Sequence, residues 1–308
     1  MKNNLLMVLG PTASGKTRLG VELARQLGGE IVSADSRQVY RGLDIGAGKD
    51  LAEYSIGGPP VPYHLIDIVD LDVEFSVFDF QRRFFEVFDE LEASGTLPIV
   101  VGGSGLYLES ILSKSRMVEV PEDAGLRAEL EGETTERLIE RLCGLRTVHN
   151  RTDLEDRGRL VRAIEIAQFS AKHELEPSPE ITALVLGIRW DRRVLRDRIG
   201  KRLAARMREG LIDEVQRLHD AGVPWEKLEF LGLEYRFVSD FLRGLIKNQN
   251  DLQQKLASAI RAFAKRQDTW FRRMERKGTE IHWIEGGDLE MARRVLAVHG
   301  DMAPGRPG

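Results

Sequence analysis

Gly10-Pro11-Thr12-Ala13-Ser14-Gly15-Lys16-Thr17 directly follows the apolar run of residues 5–9 and precedes a helical pattern over 16–27. The octet fits G-x-x-x-x-G-K-[ST] in the strand, loop and helix context that its mechanism requires. Successive backbone N–H groups and the positive end of a helix wrap two linked phosphates there. Lys16 adds a point charge, and the Thr17 hydroxyl can hold a Mg²⁺ that bridges the phosphate oxygens. A short apolar strand running into such a loop predicts an α/β fold, a P-loop NTPase-like parallel sheet flanked by helices.

Working outward, the alternation repeats. Residues 30–34 and 64–69 read as strands, 77–93 as a helix stopped by Gly95, and 97–101 as a strand ending in Gly102-Gly103. From 113 to 178 the apolar strand runs vanish, and three amphipathic stretches near 126–130, 135–142 and 154–169 replace them. A strand over 182–188 then resumes the pattern. Residues 1–114 and 182–308 are therefore expected to form the catalytic core, with 115–181 a small all-helical insertion. Helices near 192–207, 211–221 and 251–276, an edge strand over 280–284 and a frayed tail from 303 complete the reading.

Composition narrows the classes. The chain has 308 residues, 42% hydrophobic and 31% charged, which excludes disorder and collagen. No apolar run of about 18 residues and no basic-then-apolar leader occurs before Gly10, so a cytoplasmic protein without a membrane span is expected. The lone Cys143 has no disulfide partner in the chain and lacks the neighbours of a zinc site. Net charge is only −4, yet residues 189–208 hold nine Lys/Arg against two Asp, and 261–277 hold seven against one Asp and one Glu. Basic stretches on an acidic chain fit either a local polyanion site or two solvated helix faces.

Loops of this type commonly serve ATP-binding hydrolases and kinases, whose metal is supported by an acidic strand tip. Here the candidate strand ends in Gly102-Gly103-Ser104-Gly105, without a carboxylate. Asp67, in His64-Leu-Ile-Asp67, is another acidic residue, for which a turn or cap is the simpler role. Asp35 follows the second strand and falls at the carboxyl edge of the sheet, where a general base, a metal support or a turn cap are all possible.

Six blocks in order then resemble one family. They are Gly10 to Thr17, Asp35-Ser36-Arg37-Gln38 on to Gly46, His64 to Asp67, Val101 to Tyr107, Arg159-Leu160-Val161-Arg162 on to Glu165, and Ala264-Lys265-Arg266-Gln267 on to Trp270. Together they are similar to the tRNA dimethylallyltransferases, also called tRNA isopentenyltransferases. The resemblance implies that residues 10–17 hold dimethylallyl diphosphate in place of a nucleotide, with Mg²⁺ carried by the diphosphate at Thr17. The dimethylallyl group would pass to N6 of adenosine 37 beside the anticodon. It implies Asp35 as general base, Ser104 near the reacting centre, Lys16 and Arg202 on the developing diphosphate charge, and Asp35, Ser36, Arg37, Gln38 and Ser104 along the channel for a flipped adenine. Arg127, Gly158, Arg159, Leu160, Val161 and Arg162 of the insertion, with Lys265, Arg266 and Gln267, would contact the anticodon stem-loop of tRNA. A monomer is expected.

The sequence departs from the family pattern in places. A block usually ending Gly-Thr-Ala-Lys-Pro reads Gly46-Ala-Gly-Lys49-Asp50, and an Ile-Gly-Tyr segment reads Leu231-Gly-Leu-Glu-Tyr235. The insertion keeps His149-Asn150 and lengthens the run before Arg159. Trp270 falls on the apolar stripe of its helix, which favours core over base stacking. The alternatives are an isopentenyltransferase acting on free AMP, ADP or ATP, a nucleotide or metabolite kinase, and a catalytically silent RNA-binding protein.

Overall fold

The computed structural model describes residues 2–145, 156–173 and 177–301. His149, Asn150, Leu154 and the tail from 303 lie outside the described residues. The order begins β1 (Leu5–Leu9), α1 (Lys16–Leu27), β2 (Glu30–Ala34), β3 (Tyr63–His64), α2 (Val77–Ser94), β4 (Pro98–Gly102) and α3 (Gly105–Ile111). Next come α4 (Ala124–Glu131), α5 (Thr135–Leu145), α6 (Arg157–Lys172) and β5 (Ala183–Arg189). The chain continues through α7 (Arg192–Arg208), α8 (Leu211–Asp220), α9 (Trp225–Phe230), α10 (Leu233–Leu242), α11 (Gln249–Arg276), β6 (His282–Glu285) and α12 (Leu289–His299).

Six strands make one sheet in the order β3-β2-β4-β1-β5-β6, every pair parallel. Each strand's alternate residues enter opposite faces. Leu5, Met7 and Leu9 pack with Phe80, Phe84, Phe85 and Phe88 of α2, whereas Leu6 and Val8 pack with Leu19, Leu23 and Ile188. Burying each of those phenylalanines contributes about 1.5–3 kcal/mol. The helix that carries them starts in a capping box, Ser76 with Asp79. A third cluster joins α7, α8, α10 and α11 through Leu203, Val215, Val238, Leu256 and Ile260.

The strand expected over 64–69 is corrected. Pairing with β2 ends at His64, because Leu65 (φ 61°) and Asp67 (φ 56°) adopt left-handed backbone. The Asp67 and Ile68 amides donate instead to the carbonyls of Gln38 and Val39. The expected edge strand is β6, shifted to His282–Glu285. Helices α3, α9, α10 and α12 carry no signal in the periodicities above.

The chain divides into two compact units, one reaching to Leu112 and resuming at Glu180, the other Ser113–Pro179. The second has its own core of Leu126, Leu130, Leu138, Leu142, Leu160 and Ile164. Among the described residues no helix is long and apolar enough to cross a membrane.

Candidate active site

Because β2, β4 and β1 are neighbours, the segments leaving their carboxyl ends lie side by side. Residues 10–17, 35–38 and 103–104, distant in sequence, therefore share the crevice where open parallel sheets place ligands. A cavity of about 970 Å³ opens there. Thr12, Ala13, Gly15, Lys16 and Thr17 line it, together with Asp35, Ser36, Arg37, Gln38, Ser104, Arg202, Arg266 and Gln267. Gly10, Pro11 and Ser14 are buried off the lining, and Lys265 is exposed away from it.

The phosphate loop is wound by left-handed backbone at Ala13 (φ 62°) and Gly15 (φ 90°), and α1 begins with no side chain capping it. Its first amides are thus left for an anion. Two of the loop's carbonyls are held by donors that sequence reasoning missed. Arg198 Nε donates to Ala13 O at 2.8 Å, and Trp190 Nε1 donates to Ser14 O at 2.9 Å. The Arg198 guanidinium stacks on the Trp190 ring, 4.3 Å from its centroid. Gln267 adds a third tie, its Oε1 accepting from Thr12 N–H at 2.8 Å while its Nε2 donates to Gly103 O at 2.9 Å. This residue, expected against RNA, has both ends of its amide committed inside the protein.

Asp35 Oδ1 accepts from the Arg37 amide at 2.9 Å, and Ser104 Oγ accepts from the Ser36 amide at 3.1 Å. The β4 tip is bare for a steric reason, since a Cβ on Gly102 would lie 2.2 Å from Ala34 O. Asp67, the other acidic candidate, pairs with buried Lys49, which also donates to Asp44 at 2.7 Å. Lys49 is thereby a strut of the 44–50 loop. On α7, Arg198, Arg202 and Arg206 recur one turn apart and put three guanidinia on the cavity. Arg202 ion-pairs with Asp50, and Arg206 with Glu234 at 3.4 Å. Gly48 (φ 63°) passes so close that a Cβ there would overlap the Arg206 guanidinium.

Burial brings the Lys16 ammonium down to about 8, with Asp35 opposing that fall and Arg202 adding to it. Inorganic pyrophosphate should therefore bind well below pH 8 and lose affinity as the pH rises through that value, because the ammonium is the form that attracts it. Calorimetry across pH 6.5–9.5 checks this, and a Lys16→Met variant should flatten the profile in that range.

In the second unit, Arg127 and Arg162 converge on Glu165, which is 3% exposed. Arg127 binds it through Nε at 2.7 Å and Nη2 at 3.1 Å, Arg162 through Nη1 at 2.9 Å. Burial alone would raise the Glu165 carboxyl, yet these hydrogen bonds and that of the Asp123 amide hold it down to about 2. Both arginine side chains stay partly exposed. Gly158 and Arg159 are exposed and Val161 is half-buried, whereas Leu160 is fully buried in the unit's core and offers no side chain to a partner. On α11, Arg266 is exposed over the half-exposed Phe263, and Trp270 lies partly buried with its ring against Gly105.

Two family models match the sequence, one described as IPP transferase over residues 38–274 and one as isopentenyl transferase over residues 3–57. The tRNA dimethylallyltransferase 1 of Geotalea uraniireducens is 59% identical over 97% of the chain and 99% of its own length. That of Syntrophus aciditrophicus is 56% identical over 96% and 98%. The crystal structure of a tRNA isopentenylpyrophosphate transferase from Bacillus halodurans superposes with a TM-score of 0.71 at 32% identity, covering 97% of both chains. A eukaryotic dimethylallyltransferase crystallised acting on tRNA shares the fold, with a TM-score of 0.79 at 22% identity over 99% of this chain and 81% of its own.

Proposed function

Because the chain belongs to the IPP transferase family, we propose that it moves a dimethylallyl group from dimethylallyl diphosphate to N6 of adenosine 37, next to the anticodon of tRNA, and releases diphosphate. The observation that carries this reading is the convergence of Lys16, Asp35, Ser104 and Arg202 on one cavity beside a strand tip that holds no carboxylate. A site built for γ-phosphoryl transfer needs that acidic support. Alkyl transfer needs only a grip on the leaving group and a base for the nucleophile.

In this mechanism the adenine N6 attacks C1 of the dimethylallyl group, the C1–O bond breaks, and its electron pair leaves with the diphosphate. The loop amides, Lys16 and Arg202 stabilise the charge that builds on the leaving oxygens. Asp35 accepts the N6 proton, and Ser104 holds the Ser36 amide beside it. Thr17 contributes a hard oxygen to the cavity, and the described residues contain no cluster of three His, Cys, Asp or Glu. That donor set fits Mg²⁺ carried on the diphosphate. When bound there, Mg²⁺ would neutralise part of the diphosphate charge.

Arg127, Gly158, Arg159, Val161 and Arg162 of the unit Ser113–Pro179, and Lys265 and Arg266 of α11, are the proposed contacts to the anticodon stem-loop. The protein is proposed to act as a cytoplasmic monomer. Its RNA affinity should fall steeply between 50 and 200 mM salt, while pyrophosphate affinity falls far less, because only the polyanion releases many counterions. Equal slopes would remove the basic windows as an RNA site. The reading is tested with radiolabelled dimethylallyl diphosphate and Mg²⁺, offered tRNA, AMP or neither. Label on tRNA is expected; label on AMP alone, or none transferred, overturns it.

A further inference from the structure

The three cavity arginines of α7 are not equivalent. Arg198 is spent on the phosphate loop and the Trp190 ring. Arg206 is buried, and its partner Glu234 is 17% exposed. Arg202 reaches the cavity between them, with Nη1 3.5 Å from Thr12 Oγ1 and Nη2 3.5 Å from Gly48 O, both at the limit of hydrogen bonding. Its close contact is the Asp50 carboxylate. Asp50 sits in left-handed backbone (φ 47°) at the start of a 3-10 turn, Leu51–Ser55, with its side chain 35% exposed. The carboxylate therefore stands where water reaches it.

We propose that Asp50 is a built-in stand-in for the diphosphate, a carboxylate that holds Arg202 in its working pose until the substrate binds and then yields it. This rests on the prenyl diphosphate reading above. Lys16 and Arg202 line the same cavity and repel each other, and Arg202 helps press the Lys16 ammonium down while Asp50 draws it up. An anion paired with Arg202 keeps the arginine from turning away before substrate arrives. The cost is competition: a diphosphate must displace Asp50, and Asp50 regains Arg202 as the product leaves. Asp50 is a positioning residue acting through Arg202, and it sets how tightly the prenyl donor and the diphosphate product are held.

The test is titration calorimetry of inorganic pyrophosphate, with and without Mg²⁺, against the full chain and its Asp50→Asn, Arg202→Ala and doubly substituted forms. Asparagine tolerates left-handed backbone, so Asp50→Asn keeps the turn. It should bind pyrophosphate about tenfold more tightly than the parent, since Arg202 no longer has to be taken from a carboxylate. KM for dimethylallyl diphosphate should fall by a similar factor. In the Arg202→Ala background the same substitution should change affinity little. Unchanged or weaker binding by Asp50→Asn overturns the proposal, as does an equal gain without Arg202. A loss seen only with Mg²⁺ would make Asp50 a metal support, and overturns it too. If the parent chain does not bind pyrophosphate at all, the prenyl diphosphate reading falls and this one with it; binding without tightening in Asp50→Asn sinks this one alone.

Discussion

Asp35→Asn is expected to cut prenyl transfer by about 10²–10⁴ while leaving pyrophosphate binding nearly intact, because general bases contribute on that order. Each decade corresponds to about 1.4 kcal/mol of barrier. The substitution is chosen for what it keeps. Asp35 Oδ1 accepts from the Arg37 amide, and an asparagine carbonyl oxygen can accept the same bond, so the turn after β2 persists. What it removes is the second carboxylate oxygen and its proton affinity, which the weakly nucleophilic adenine amine needs. One side effect follows from the charge. Asp35 pulls the Lys16 ammonium upward, so its loss lets that group titrate still lower. Pyrophosphate affinity should therefore be compared near pH 6.5, where Lys16 remains charged in both proteins. Single-turnover rates with saturating dimethylallyl diphosphate and tRNA read the chemical step. A variant that turns over at the parental rate would remove Asp35 from the mechanism.

The parts of this site that could be read in the sequence are those whose chemistry is local. The phosphate loop announces itself because its glycines, Lys16 and Thr17 sit at fixed spacings between a strand and a helix. Asp35 is legible through topology alone, as the first polar residue beyond a buried strand. The ends of β1, β2 and β5 fall within a residue or so of the pattern, since short fully buried strands are bounded by glycine and charge. Illegible were the roles of residues that act across long separations. Trp190, Arg198 and Gln267 fix the loop from up to 255 positions away, and nothing near them in the chain signals it. The four-residue spacing of Arg198, Arg202 and Arg206 was visible, yet charge density alone does not tell a solvated face from a cavity wall. His64 to Val69 misled because an apolar run looks like a strand until left-handed backbone at Leu65 and Asp67 breaks it.

Glu214→Ala is expected to cost about 3–5 kcal/mol of stability, on the scale of an orphaned set of buried donors. Glu214 is 4% exposed on α8, yet its carboxylate serves a loop 170 residues earlier. Oε2 accepts from the amides of Asp44 at 3.3 Å and Ile45 at 2.7 Å, and Oε1 accepts from the Gly46 amide at 3.0 Å and the Tyr235 hydroxyl at 2.8 Å. Burial raises the Tyr235 phenol well above its ordinary range, so it stays protonated as a donor while its oxygen accepts from the Ala47 amide at 3.1 Å. Four consecutive amides thus hang on two buried side chains. Alanine at 214 leaves three of them, and the hydroxyl, facing a void. Glu214→Gln should cost less, since one oxygen remains, though its NH₂ then meets donors. Tyr235→Phe, which orphans the Ala47 amide and one carboxylate bond, should cost least, about 1–2 kcal/mol. Denaturant unfolding gives the ranking. The loop they hold continues into Gly48 and Asp50, which flank Arg202, so the folded Glu214→Ala protein should also show a raised KM for dimethylallyl diphosphate. Stability within 1 kcal/mol of the parent, with KM unmoved, would mean that water or the Lys49 ion pairs can hold the loop unaided.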